Sequence, residues 1–230
     1  GICNLVANQD GSNNLLSPIA STYLNAGASL AVNSAPMANR KVVNNPFTEA
    51  RVVSSLSGLL NPAAEVSRQY KTGKMYDALG FIWMADQTVI SHTNGTLAQS
   101  SATVSGANQT GLSLTVGALA GTLNIGDIIT VDAVYAVNRI TKQSTGRLRQ
   151  FVVTANVAAG ATSIPIYPAL VPGSNGQQVQ YQTVTVSPAN GAAVNPTNSF
   201  GASQQYQKNF AYAPEAVTLA TADLEMPQGV

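Results

Sequence analysis

Apolar positions recur every three or four residues in the first third of the chain, which is the spacing of an amphipathic helix. Ser17 and Pro18 are typical of a helix start, so the first helix is predicted to begin there. The same spacing recurs over residues 50–60, and a third segment begins at Asn61 and ends before Gly73. The sequence therefore predicts three helices before residue 74.

Beyond residue 80 the pattern changes to short apolar and β-branched runs, the first of which is the strand-like segment 81–84. Turn signals such as Asn94-Gly95 and Asn190-Gly191 divide the runs that follow. Six of these runs predict strands: 102–104, 112–116, 128–137, 147–154, 163–167 and 179–186. Short strands at this spacing are typical of a small barrel or sandwich.

The two patterns together predict an α+β fold with an all-β domain inserted into a mixed host. Residues 1–91 form the first part of the host, and residues 193–230 return to it. The inserted barrel or sandwich occupies residues 92–192, which is close to the usual size of one domain.

Charged side chains are scarce, at 9% of the 230 residues against roughly 25% in an average soluble domain. Neutral polar residues replace them: 20 Asn, 15 Gln, 20 Ser and 20 Thr. The net charge of +1 argues against a wholly disordered chain and against a dedicated nucleic-acid binder, which is usually strongly basic. An amide-rich surface suits self-association, because desolvating an amide costs less than desolvating a charge.

The few cations are concentrated in residues 139–149, which contain no acid: Arg139, Lys142, Arg147 and Arg149. One interpretation is a contact with phosphate or with the carboxylates of a partner. The other is the solvated end of a hairpin. No aromatic residue interleaves these charges, so support for nucleic-acid binding is weak. We predict instead that this cluster contacts the acidic edge of a neighbouring subunit and does not bind DNA specifically.

Acidic residues that could form such an edge occur in separate blocks of the sequence. These blocks contain Asp77, Asp86, Asp127, Asp132, Glu215, Asp223 and Glu225. A symmetric ring would bring the acids of one subunit to the basic cluster of the next.

No catalytic, cofactor-binding or metal-binding motif is recognisable. Cys3 is the only cysteine and His92 the only histidine, whereas a structural zinc site usually needs four such ligands. No Gly-x-Ser-x-Gly motif accompanies His92, which we expect in an exposed loop. A carboxylate pair for glycoside hydrolysis stays open, because any two acids could meet in space. We expect neither an enzyme nor a bound cofactor, and no segment has the roughly 20 mostly apolar residues of a membrane span.

Four segments carry the most distinctive sequence: GDIITV (126–131), TKQSTGRLRQFVVT (141–154), SPANGAA (187–193) and LATADLEMP (219–227). They resemble the coat protein of tailed double-stranded DNA bacteriophages. The closest branch is the podovirus type, in which a β-domain is inserted into the Hong Kong 97 capsid fold. The likeness extends over about residues 40–230.

This resemblance implies a structural subunit of an icosahedral capsid that forms hexamers and pentamers around the DNA genome. It also implies scaffolding and portal proteins as partners, assembly in the host cytoplasm and at most non-specific contact with the packaged DNA, without a membrane. The alternative is a phage decoration or binding module built on the β-domain.

Two departures from the family pattern add expectations. The family's chain is nearly twice as long, so we expect this sequence to be its C-terminal half. The stretch between residues 107 and 112 is short, whereas some relatives carry a long loop there that bridges neighbouring capsomers.

Overall fold

The computed structural model describes residues 19–55, 72–173, 179–196, 203 and 205–217. The helices described from end to end are α1 (Ala20–Val32), α2 (Pro46–Ser55) and a short 3-10 helix over Pro214–Ala216, and Thr72 is also helical. The strands are β1 Lys41–Asn44, β2 Asp77–Ala78, β3 Phe81–Ala85, β4 Ser91–Thr93, β5 Ala102–Thr103, β6 Gly111–Thr115, β7 Ile128–Val131, β8 Tyr135–Val137, β9 Ser144–Leu148, β10 Phe151–Val153, β11 Ser163–Leu170, β12 Ala193–Pro196, β13 Gln205–Gln207 and β14 Phe210–Tyr212.

A four-stranded sheet in the order β14-β1-β3-β2 forms the core of the host part. Strand β1 is parallel to β3 and antiparallel to β14. Side chains alternate across β3, so Phe81 and Trp83 are buried while Ile82 and Met84 remain exposed on the other face. The buried face packs with residues of both helices in one apolar cluster: Tyr23, Leu30, Ala35, Val42, Val52, Met75, Phe81, Trp83 and Ala213.

A six-stranded sheet in the order β5-β12-β7-β10-β11-β6 forms the second unit of structure, and each neighbouring pair is antiparallel. Alternate residues of its strands point into one apolar core, as Ile129 and Val131 do on β7 and Ile164 and Ile166 do on β11. All four of these side chains are at most 1% exposed. The buried residues of this core lie between Leu97 and Val194.

The predicted helices are confirmed where the structure describes them. The first helix extends over α1, where the hydroxyl oxygen of Thr22 accepts a hydrogen bond from the Ile19 backbone N–H. Its predicted start at Ser17 and Pro18 lies outside the described residues. The second helix is α2, of which residues 46–55 are described, and the third prediction, from residue 61 to 69, also lies outside them.

Two predicted strands are each divided in two. The segment 128–137 becomes β7 and β8 because Ala133 adopts a positive φ of 61° and the Val134 N–H donates to the Val131 carbonyl in a turn. The segment 147–154 becomes the end of β9 and all of β10, because the Arg149 N–H donates to Val134 at the point where the chain changes sheets.

The predicted strand 179–186 is wrong, since only an isolated bridge joins Val184 to Ala136. In place of backbone pairing between strands, the side chain of Thr183 bonds to the end of β11. Its hydroxyl donates to the Ala169 carbonyl and accepts from the Val171 N–H. Conversely, the sequence pattern did not predict β12. This strand pairs with β5 and β7, so the six-stranded sheet extends beyond residue 192.

The mixed α and β class is confirmed, with far more strand than helix among the described residues. None of the helices in the described part of the chain has the length and apolar character needed to cross a bilayer.

Candidate inter-subunit surface

Strands β8 and β9 form a two-stranded ribbon outside the six-stranded sheet, and we call residues 135–149 the basic hairpin. Asn138 orders its loop, because its Oδ1 accepts hydrogen bonds from the N–H groups of Ile140 at 2.8 Å and Thr141 at 3.1 Å. The Asn138 carbonyl also accepts from the Lys142 N–H at 2.9 Å. These local bonds hold Ile140 at the tip with 77% of its surface exposed, a feature that charge counting alone did not indicate.

Part of the basic hairpin packs on the host helix α1 of the same chain. Arg147 donates from Nη1 to the Ser29 hydroxyl at 3.3 Å, and the Asn138 side-chain amide donates to the Val32 carbonyl at 3.4 Å. Arg147 therefore has a hydrogen-bond partner in its own chain, although Arg147 remains exposed to solvent.

Arg149 lies where the hairpin returns to the sheet and is the cation with the most distinctive environment. Its Nε is enclosed and makes no hydrogen bond with any described residue. Burial lowers the pKa of Arg149, the nearby charge of Arg139 lowers this pKa further, and Tyr167 acts in the opposite direction. Arg139 is exposed and Lys142 is partly buried. Within the described residues, none of the four hairpin cations forms a salt bridge.

The structure divides the predicted acidic residues into available and unavailable groups. Asp77, Asp86, Asp132 and Glu215 are exposed, and Asp132 also accepts a hydrogen bond from the Asn195 side-chain amide at 2.9 Å. The Thr88 backbone N–H and hydroxyl lower the pKa of Asp86 by donating to its Oδ1 at 2.8 and 2.7 Å. The predicted residues at 223 and 225 lie outside the described part.

Asp127 is not available to a neighbour because it is only 2% exposed and has three partners in its own chain. Its Oδ1 lies 2.7 Å from Nε2 of His92. Its Oδ2 accepts from the Gly95 N–H at 2.9 Å and from the Asn124 N–H at 2.8 Å. Asp127 therefore stabilises the turn that precedes β7, which removes it from the predicted acidic edge.

The expectation that His92 occupies an exposed loop is wrong. His92 lies in β4, opposite Tyr206 of β13, and the ring centroids of these two residues are 5.5 Å apart in an edge-on arrangement. The sequence did not indicate this because β13, Gln-Tyr-Gln, lacks the apolar alternation that identifies strands.

The β4–β13 ribbon joins the host sheet to the six-stranded sheet. Beside the His92–Asp127 contact, the Lys208 ammonium donates to the Gly126 carbonyl at 2.7 Å. Gly126 has a φ of 91°, and a Cβ there would lie 3.0 Å from Lys208 Nζ, so the turn and the ribbon approach closely. We call His92, Gly126, Asp127 and Lys208 the junction cluster.

Among the described residues, no group of three or more His, Cys, Asp or Glu side chains is placed to hold a metal ion. The junction cluster offers one imidazole, one buried carboxylate and one ammonium, and each of these groups has a structural partner. The geometry therefore fixes the polypeptide at this point.

Comparison with known proteins defines the class. Residues 97–229, more than half of the chain, match the family model described as "P22 coat protein - gene protein 5". A solved structure described as "CUS-3 coat protein I-domain" is 31% identical, and the match covers 43% of this chain and 96% of that chain with a TM-score of 0.33. No curated protein matches the chain.

The class is therefore that of podovirus-type bacteriophage coat proteins, which are structural proteins of the capsid. The chain belongs to the P22 coat protein family. Membership of a structural family implies a non-enzymatic role and a place in the virion capsid.

Proposed function

We propose that this chain is the repeating subunit of an icosahedral shell, in which hexamers and pentamers with the Hong Kong 97 fold enclose the DNA genome. The family match over residues 97–229 carries this proposal. It is supported by the near-neutral composition, because a net charge of +1 keeps repulsion among many copies small.

The domain organisation belongs to the same proposal. Residues 1–91 and 193–230 form parts of the capsid core, and residues 92–192 form the inserted β-domain. The continuous core between Leu97 and Val194 supports an insert of about this extent. The junction cluster would then hold both connecting strands of the insert in a fixed relation to the host.

Scaffolding and portal proteins are the proposed assembly partners, and assembly takes place in the cytoplasm of the host bacterium. Contact with packaged DNA is at most non-specific. Phosphate binding depends on several freely available cations, and in the basic hairpin Arg147 already donates to Ser29 while the Nε of Arg149 is enclosed.

Expression in bacteria tests the proposal when the natural polypeptide that contains these 230 residues is produced together with its scaffolding protein. Electron microscopy of the purified product should show closed shells built of hexamers and pentamers. A product that stays monomeric or trimeric and binds only to preformed shells would contradict the proposal and favour a decoration module.

A further inference from the structure

The basic hairpin is fixed at its base to the unit that contains the six-stranded sheet. The Thr185 N–H donates to the Tyr135 carbonyl at 3.0 Å. The Arg149 N–H donates to the Val134 carbonyl at 2.8 Å. Val137, at the end of β8, is only 5% exposed. The hairpin is therefore part of the β-domain, and any contact that its other residues make with the host is a second attachment of that domain.

This second attachment lies on the host helix α1. Arg147 donates to the Ser29 hydroxyl, and the Asn138 side-chain amide donates to the Val32 carbonyl. Ser29 is only 6% exposed, although it lies about 100° around the helix from the core residue Leu30. Because a serine away from the core-facing side is buried only beneath another element, the bond from Arg147 identifies the hairpin as part of that cover.

The two attachments differ in the length and burial of their contacts. In the junction cluster, the His92–Asp127 contact is 2.7 Å long, and the bond from Lys208 has the same length. On α1 the two hydrogen bonds measure 3.3 and 3.4 Å, beyond the usual length of about 2.9–3.0 Å, and Arg147 is exposed. Long, solvated hydrogen bonds break more readily than short, buried ones, so the contact on α1 opens first.

We propose that the basic hairpin is a releasable clasp. In the closed state, Arg147 and Asn138 hold the β-domain against α1. In the open state these two hydrogen bonds are broken, and the β-domain turns about the junction cluster, which stays intact. Both ends of the clasp belong to one chain, so it exists whether or not that chain builds a shell. In a shell, the clasp would let one chain fit both hexamers and pentamers, whose subunits meet at different angles; this use rests on the proposed function.

Distances between two spin labels test the clasp in the natural, unassembled polypeptide that contains these residues. One label is attached at Arg51→Cys on α2 and the other at Thr115→Cys on β6, which are exposed positions in the host and in the β-domain. Cys3→Ser and replacement of any further cysteine leave only these two sites. Pulsed electron–electron double resonance then gives the distribution of distances between the two units, and the parent should show one dominant distance.

Two variants remove the same hydrogen bond from opposite ends. Arg147→Gln and Ser29→Ala should each lower the fraction of molecules at the parental distance at least twofold. Combining them should lower this fraction no further, because both changes break one contact. The matched control Arg139→Gln removes the same charge from an exposed position of the hairpin and should leave the distribution unchanged.

Arg147 is exposed, so Arg147→Gln keeps the test valid if Ser29→Ala fails to fold. A parental distribution in Arg147→Gln would overturn the clasp, and a loss of shell yield in that same variant would then show that Arg147 contacts a neighbouring subunit. An equal change in Arg139→Gln would also overturn the clasp, since net charge would then be responsible. A parent chain that forms no shells would refute the proposed function and leave the distance measurement unaffected.

Discussion

Nε2 of His92 lies 2.7 Å from Oδ1 of Asp127, although 35 positions separate the two residues in the sequence. The contact joins the β4–β13 ribbon to the turn that precedes β7, so one short polar bond connects two different sheets. The same carboxylate also accepts two backbone N–H bonds. Asp127 is therefore a central residue of the junction cluster, beside the bond from Lys208 to the Gly126 carbonyl.

Replacing Asp127 should destabilise the protein strongly. Asp127→Ala leaves the N–H groups of Gly95 and Asn124 without an acceptor, and we expect the free energy of unfolding to fall by about 2–4 kcal/mol. Urea unfolding measures this change. Asp77→Ala, which alters an exposed acid, should stay within about 0.5 kcal/mol of the parent. Equal stability of the two variants would show that the junction cluster does not hold the sheets together.

Alkaline stability should depend on Tyr23. Burial raises the pKa of Tyr23 well above its usual value, and the negative charge of Glu49 raises this pKa further. Its hydroxyl donates to Oδ1 of Asn44 at 2.9 Å. Since the folded state favours the neutral phenol, its contribution is fully present below the unfolded pKa of about 10 and is lost as pH rises through the higher folded value.

Tyr23→Phe should therefore lower the free energy of unfolding by about 1–2 kcal/mol at pH 7, because the buried Asn44 loses a donor. The deficit relative to the parent should shrink as pH rises above about 10. Urea unfolding at a series of pH values measures this. The control Tyr181→Phe changes a tyrosine that is 76% exposed and should alter neither the free energy of unfolding at pH 7 nor its dependence on pH. A loss of stability in Tyr23→Phe that stays constant with pH would contradict the explanation.

The isolated β-domain should be more stable when β12 is included. The sequence predicts an independent domain over residues 92–192, but Val194 is fully buried and pairs with Val131. We expect the isolated segment 92–196 to give a dispersed amide spectrum with slow exchange. The segment 92–192 should be less stable by about 2–5 kcal/mol, through lost apolar burial and lost ladder bonds. Equal urea midpoints for the two segments would contradict this.

Local pattern was sufficient for the elements whose residues alternate or repeat strictly. Tyr23 and Leu30 lie on one buried face of α1, and Ile164 and Ile166 lie on one buried face of β11, as periods of 3.6 and 2 require. The division of segment 128–137 was not predictable, because nothing in the local sequence marks Ala133 as a residue with positive φ. Only the pairing of β8 with β9 makes that turn necessary.

The sequence was sufficient to predict which cations form the basic hairpin, but not the different environments of these cations. Clustering of four cations is visible in the sequence, whereas the difference between Arg147 and Arg149 depends on where α1 lies in the folded chain. The partner of His92 was hidden for the same reason, since Asp127 lies 35 positions further along the chain, in the turn that precedes β7. Long-range contacts of this kind leave no periodic signal.

The central claim is that this chain builds a shell, and the number of copies in each particle tests it most directly. Quantitative mass spectrometry of purified phage particles should find the polypeptide that contains this sequence to be the most abundant protein, at several hundred copies per particle, because a closed symmetric shell needs many identical subunits. A count below about one hundred copies per particle would contradict the account, since so few subunits would not suffice for a shell of hexamers and pentamers that encloses a genome.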